Sequence, residues 1–475
     1  MRRVAVIGGG IAGLSAANRL NELAAKSKVA LEVTLLERSD RTGSAMETIH
    51  RDGFTIDTGA DSILSEKPWA IDLARRIGLS AELIPTRDIY RKTFVVRAGR
   101  LVEIPAGFSL LAPAQFWPVL TSPIFSALGK LRIAMEPFVP ARRGGADESL
   151  ASFVTRRLGR EVLDRIAQPL AGGIYTADPE RLSIAATLPR FAAMEKKYGS
   201  LYRGLRAAAR QREANNADES GARWSLFVSF KGGIAALADA LAARLGGAIR
   251  NSAEVAAISR EGERWRIDRK DSGDSLIADA VICATPAPAT ARILAAIAPR
   301  ASDLLGAIRY SSAATVNIAY RECDFARPPE AFGFVVPAIE RRKIIAGSFS
   351  SFKYEGRAPA GMLLARAFVG GVLQNDTMRL GDDEIAAAAV GEFRSLLGVT
   401  AAPQFTIVRR WPDSMPQCEV GHLARIAEIE RLVADIPGFA IAGAAYRGVG
   451  IPDCVHGGEL AAETIFSKLR APGES

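Results

Sequence analysis

The sequence predicts a mixed α/β fold with an α+β remainder, and three observations carry that prediction. An apolar run at residues 4–7 leads straight into Gly8, Gly10 and Gly13, then into a helical pattern over 14–25. A second apolar run at 31–36 ends in an acid, Glu37. Near the far end, 439–443 reads as a buried strand, 447–453 as a glycine-rich turn and 455–469 as a helix. Strand, tight turn and helix in succession are the units of a doubly wound parallel sheet.

The first unit has the spacing GxGxxG, and each glycine has a physical reason. Gly8 makes the tight turn out of the strand. Gly10 lets a pyrophosphate approach the backbone. Gly13 lets the helix pack close to the sheet. Gly9, Ile11 and Ala12 complete the turn, whose free N–H groups suit phosphates. Glu37, with Arg38 beside it, stands where a carboxylate accepts the ribose hydroxyls of an adenosine. Together these read as a Rossmann-like nucleotide domain.

The segment after Glu37 selects the dinucleotide. It carries Arg41, Gly43, Ser44 and Thr48, then a Gly53-Phe54-x-x-Asp57-x-Gly59 stretch continuing through Ala60, Asp61 and Ser62. This resembles the second flavin motif of the amine-oxidase superfamily, in which the Arg and glycines approach FAD. Ser44 departs from it, standing where that motif has a second glycine.

Composition bounds the rest. The chain has 475 residues, roughly three domain-sized units. Apolar residues at 48% and charged residues at 24% fit a globular protein with a large core. Lys plus Arg exceed Asp plus Glu by 61 to 52, a net +9, and only 12 of the cations are Lys. Arg-for-Lys usage with much Ala is no nucleic-acid signal. Cys283, Cys323, Cys418 and Cys454 show no CxxC pairing, which argues against a zinc site and for reduced thiols in the cytoplasm. His50, His422 and His456 form no metal motif, so no metal site is expected.

The long uncharged run at 104–129 contains Pro105, Pro113, Pro118 and Pro123. Four prolines exclude a spanning helix. The run reads as core, or as a surface that meets lipid or an apolar substrate. Further along, 225–230 reads as a strand, 231–245 as a helix and 249–258 as one strand containing Val255. Residues 130–215 are helical in pattern, and 305–405 mix strands with helices.

Five stretches together resemble the water-soluble bacterial type of FAD-dependent porphyrinogen oxidase. They are 6–14, 129–135, 169–183 (PLAGGIYTADPERLS), 410–417 (RWPDSMPQ) and 448–454 (GVGIPDC). The resemblance runs almost end to end. It implies a discontinuous FAD domain (1–66, 225–295 and 405–475), a substrate domain (67–103 and 296–404) and a helical, membrane-associated domain (104–224). It implies that Val255 meets the adenine and that Trp411, Val449, Gly450 and Ile451 sit beside the isoalloxazine. It places Lys67 at a substrate propionate and Gly173 and Ile174 along the cavity, with the Gly173 backbone carbonyl as one suggested base. Arg91, Arg190 and Arg366 are further candidates for propionates, since charge-assisted bonds to carboxylates are strong.

The activity implied is oxygen-dependent, six-electron oxidation of coproporphyrinogen III or protoporphyrinogen IX in heme biosynthesis, releasing hydrogen peroxide. The flavin carries the electron chemistry, which accounts for the lack of a His-Asp or paired-carboxylate constellation. The partners implied are the porphyrinogen, oxygen, a peripheral membrane contact on the inner face and a heme-pathway chelatase that takes the product. A flavin amine oxidase, a carotenoid desaturase and a non-catalytic tetrapyrrole-binding protein of the same fold are the competing readings.

Overall fold

The computed structural model describes residues 1–142, 144–218, 225–270 and 273–469. Its nucleotide module is a five-stranded parallel sheet in the order Ile249–Arg250, Leu31–Leu36, Arg2–Ile7, Ala280–Cys283, Phe439–Ile441. Arg2–Ile7 is central because Val4 to Ile7 are apolar on both faces and fully buried. Helix Ile11–Ser27 follows it, and helix Ile451–Leu469 returns from the far end of the chain to lie against that helix. Gly458 permits the approach, because a β-carbon there would fall on the Ala12 carbonyl. Leu14, Ala17, Val455 and Ala462 fill the seam.

A seven-stranded sheet forms the second layer. Its order is Phe405–Pro416, Tyr310–Arg321, Met362–Gly370, Ala346–Phe349, Gly333–Val335, Thr93–Arg97, Arg100–Glu103. Neighbours are antiparallel except Gly333–Val335 with Thr93–Arg97. One face packs against helix Asp382–Leu397 through Val316, Ile318, Phe334 and Phe393. The other looks towards the nucleotide module, where Thr315 Oγ1 donates to the Thr58 carbonyl at 2.5 Å.

The third module is helical, and its main helices are Leu150–Leu158, Gln168–Tyr175, Pro189–Tyr198 and Leu201–Asp218. Phe153, Leu163, Ile166 and Phe191 form its core. Arg157 and Glu136 pair inside it at 0% and 1% exposure. The Glu136 carboxylate also accepts from Ser200 Oγ and from the Leu201 and Tyr202 N–H groups. Those donors tie the start of Leu201–Asp218 to the segment before Leu150. No helix among the described residues is long and apolar enough to cross a membrane.

Three segments differ from the sequence reading. Residues 249–258 are two strands, Ile249–Arg250 and Val255–Glu261. The chain turns at Ser252, whose φ is +51°, and Ala253 N–H donates to the Glu37 carbonyl at 2.8 Å. Helix Trp69–Arg76 packs in the nucleotide-module core through Ala70, Ile71, Leu73 and Ala74, not on the seven-stranded sheet. Strand Phe405–Pro416, read with the nucleotide module, is an edge of the seven-stranded sheet.

Glu136→Ala removes the closer of the two carboxylates that pair with the buried Arg157 guanidinium, leaving it Glu195 at 3.4 Å. The expected loss is about 3–5 kcal/mol of stability, read from denaturant unfolding.

Candidate flavin site and adjoining cleft

The glycine turn leaves no room for side chains at Gly8 and Gly13. Gly8 has φ +106°, and a β-carbon there would lie 2.7 Å from the Ala284 carbonyl oxygen. A β-carbon at Gly13 would fall on the Gly8 carbonyl. Gly10 caps helix Ile11–Ser27 without a side-chain hydrogen bond, and the first turn holds no acid. Its leading N–H groups therefore remain available to an anion. The Glu37 carboxylate reaches back to this turn, accepting from Gly9 N–H at 2.6 Å and Ser39 N–H at 2.8 Å. Arg38 beside it is exposed.

Arg41 donates to the Thr42 and Ser44 carbonyls and faces Glu47 at 3.4 Å. Gly43 and Ser44 both have positive φ, +94° and +51°. Ser44 thus keeps the left-handed shape that glycine adopts without strain, at a cost of about 1–2 kcal/mol. Gly59 lies beneath Trp411, where a β-carbon would be 3.0 Å from the indole. The indole N–H donates to the Thr58 carbonyl at 3.3 Å, and Ala60 N–H to the Ala45 carbonyl at 3.0 Å. Gly8, Gly10, Glu37, Gly59 to Ser62, Val255, Trp411, Val449 and Gly450 are half-buried, so they border open space within the fold. This groove has free donors at one end and backbone without β-carbons along it. It fits a dinucleotide with its pyrophosphate at the helix start.

The Asp61 carboxylate is held by Lys353 at 3.1 Å, Arg366 at 2.8 Å and Ser62 Oγ at 2.6 Å. Burial would raise this carboxyl, but the two cations outweigh it and hold it well below the usual carboxylate range. Arg366 corrects the sequence expectation of a propionate partner. It is 3% exposed and donates to the Asp57 and Gly59 carbonyls at 3.1 and 2.8 Å. Its Nη1 and Nη2 groups already serve the groove wall and Asp61, and its buried Nε meets no acceptor among the described residues.

At the other end, Gly448, Val449 and Gly450 turn into helix Ile451–Leu469. Lys67 Nζ is bracketed by the two Asp453 oxygens at 2.6 and 2.7 Å. Helix Gln168–Tyr175 brings Gly173 against Val335 and Ala346, and Ile174 is exposed. Four carbonyls are left over at that helix end. Gly172 accepts from Thr176 N–H and Tyr175 from Gln417 Nε2. The Gly173 and Ile174 carbonyls meet no donor among the described residues. Arg190 faces Glu66 at 3.9 Å. Arg91 lies exposed after the 88–90 turn, with no contact to Lys67 or Gly173.

Residues 11–466 match the model of the flavin-containing amine oxidoreductases. The chain belongs to this family. It is an FAD-dependent oxidoreductase. It is 31% identical over 470 residues to the coproporphyrinogen III oxidase of Bacillus subtilis, covering 98% of each chain. To the Staphylococcus aureus coproporphyrinogen III oxidase it is 30% identical, covering 98% of this chain and all of that one. A crystal structure of a candidate protoporphyrinogen oxidase from an Exiguobacterium species superposes with a TM-score of 0.85 at 30% identity, over 98% of each chain. A putrescine oxidase at TM-score 0.69 and 17% identity shares the fold alone.

Sequence reasoning missed the residues that act across the chain. Lys353 reaches Asp61 over 292 positions, and no local pattern marks it. Asp453 stands in a motif already singled out, but its pairing with Lys67 has no local signature. Glu37→Ala removes the acceptor proposed for the ribose hydroxyls. FAD affinity should then fall about thirtyfold or more, measured by fluorescence titration of the apoprotein.

Proposed function

We propose that this oxidoreductase converts coproporphyrinogen III to coproporphyrin III, with oxygen as final acceptor and hydrogen peroxide as by-product, in heme biosynthesis. The observation that carries this reading is the end-to-end similarity, at 30–32% identity, to three coproporphyrinogen III oxidases. Protoporphyrinogen oxidases from plants and cattle match at 26–29%. The cleft agrees in chemistry, with a half-exposed Lys67 and free carbonyls at Gly173 and Ile174.

Six hydrogens leave the substrate in making the porphyrin. FAD, when bound, supplies the electron-accepting chemistry. The chain's own residues position and shield. Trp411 and the Gly59 segment form one wall. Gly173 and Ile174, at the free end of their helix, face the substrate with carbonyls that can accept pyrrole N–H groups. Lys67 receives a propionate.

The helical module is read as the membrane-facing part, with the protein in the cytoplasm and peripheral on the inner face. Leu128, Leu131, Met135 and Phe138 stand 79%, 59%, 51% and 81% exposed, and Trp117 is 74% exposed. Such a patch on one short stretch marks a lipid or protein contact. Ile174, Ile339, Val372 and Leu373 are exposed as well. Val372 N–H donates to the Thr176 carbonyl, so Val372 and Leu373 lie near Ile174. We read this rim as the site of product handover to a chelatase.

Side-by-side kinetics should give a kcat/KM at least about tenfold higher for coproporphyrinogen III than for protoporphyrinogen IX. Equal values, or turnover of amines alone, would refute the assignment. The double variant Leu128→Glu/Phe138→Glu should lose cosedimentation with anionic phospholipid vesicles while keeping its flavin spectrum. Unchanged sedimentation would remove this patch from the membrane contact.

A further inference from the structure

We propose that Asp453 is a positioning residue that sets how strongly Lys67 holds a substrate carboxylate. This rests on the porphyrinogen reading and adds a residue to it. Both Asp453 oxygens lie within 2.7 Å of Lys67 Nζ. An ammonium has three N–H groups, so one remains. The Lys67 side chain is 40% exposed and Asp453 only 10%. The remaining N–H is therefore the one offered to the cleft, while the acid stays behind it.

Asp453 cannot easily move away. It sits in the first turn of helix Ile451–Leu469. Its side chain fills the space beside Gly448 and Gly450, where β-carbons would lie 2.7 and 3.0 Å from it. Two further pairs join the same segments. Trp69 stacks on His456 with centroids 4.1 Å apart, and Arg76 pairs with Glu459. Lys67 is thereby aimed by a rigid neighbour, not by solvent.

The electrostatic consequence is specific. Porphyrinogen and porphyrin carry the same carboxylates. A bare ammonium would bind both equally, which holds the product without helping the chemistry. An acid behind the ammonium cancels most of its charge but leaves the directional hydrogen bond. A further cation, Arg190, also faces an acid, Glu66. The cleft thus recognises carboxylates by aimed hydrogen bonds more than by net positive charge.

The test uses purified holoenzyme titrated with coproporphyrin III at low and high salt, together with coproporphyrinogen III kinetics. Asp453→Asn should bind the porphyrin about five- to tenfold more tightly at low salt, with the gap narrowing at high salt. Its KM and kcat should fall together, because release slows. Lys67→Met should raise KM more than it lowers kcat. The double variant should match Lys67→Met, because Asp453 acts through Lys67. Asp453→Ser also removes the charge and serves as the second variant if the Asn form folds poorly. Unchanged or weaker porphyrin binding in both Asp453 variants overturns the proposal, as does tightening that persists without Lys67. A wild-type enzyme that neither binds coproporphyrin nor oxidises its porphyrinogen overturns the substrate reading as well.

Discussion

Five charged side chains at the junction of the two sheets hold the site together. Asp57 and Asp61 come from the nucleotide module, and Lys353, Arg357 and Arg366 from the seven-stranded sheet and its connections. Arg357 is 1% exposed and donates to Ser229 Oγ and to the Phe230 and Lys231 carbonyls. The two acids respond in opposite directions. Burial dominates at Asp57 and pushes its carboxyl up, whereas two cations overcome burial at Asp61 and pull it down. Buried charges of this kind add little net stability against apolar packing, but they fix geometry, because any shift would strand a desolvated charge. The segment they fix, Gly59 to Ser62, is the wall of the flavin groove. The placement of cofactor against substrate therefore depends on this junction.

The same logic explains how modules interleaved along the chain form one site. The helix at the end of the chain packs on the helix at its start through Gly458 and Ala12. That contact brings the Gly448–Ile451 turn and Asp453 back towards residues from the N-terminal end. Trp411 arrives on an edge strand of the other sheet. Each part is locally ordinary. The site exists only where they converge.

The groove was legible in the sequence to the extent that it is made of backbone. Gly8, Gly13 and Gly59 announce themselves because a β-carbon is impossible there, and local spacing in the chain records that fact. The substrate end was less legible because it is made of side chains from distant segments. Arg366 illustrates the limit. An arginine on an apolar strand has no sequence mark to say whether it meets a ligand or a buried acid. The uncharged run at 104–129 shows a second limit. Leu111, Val119, Ile124 and Phe125 are core while Trp117 and Leu128 are exposed, and prolines erase the periodicity that would have separated them.

The sequence by itself determined the nucleotide fold, the cofactor class and the absence of a spanning helix in the long uncharged run. These come from short-range rules of spacing, turn geometry and proline chemistry. Only the tertiary structure decided which cations are free and which are committed. It paired Lys67 with Asp453, 386 positions away, and Arg366 with Asp61. Charge pairing depends on distance in space, and a chain folded through three interleaved modules carries that distance nowhere in its linear order.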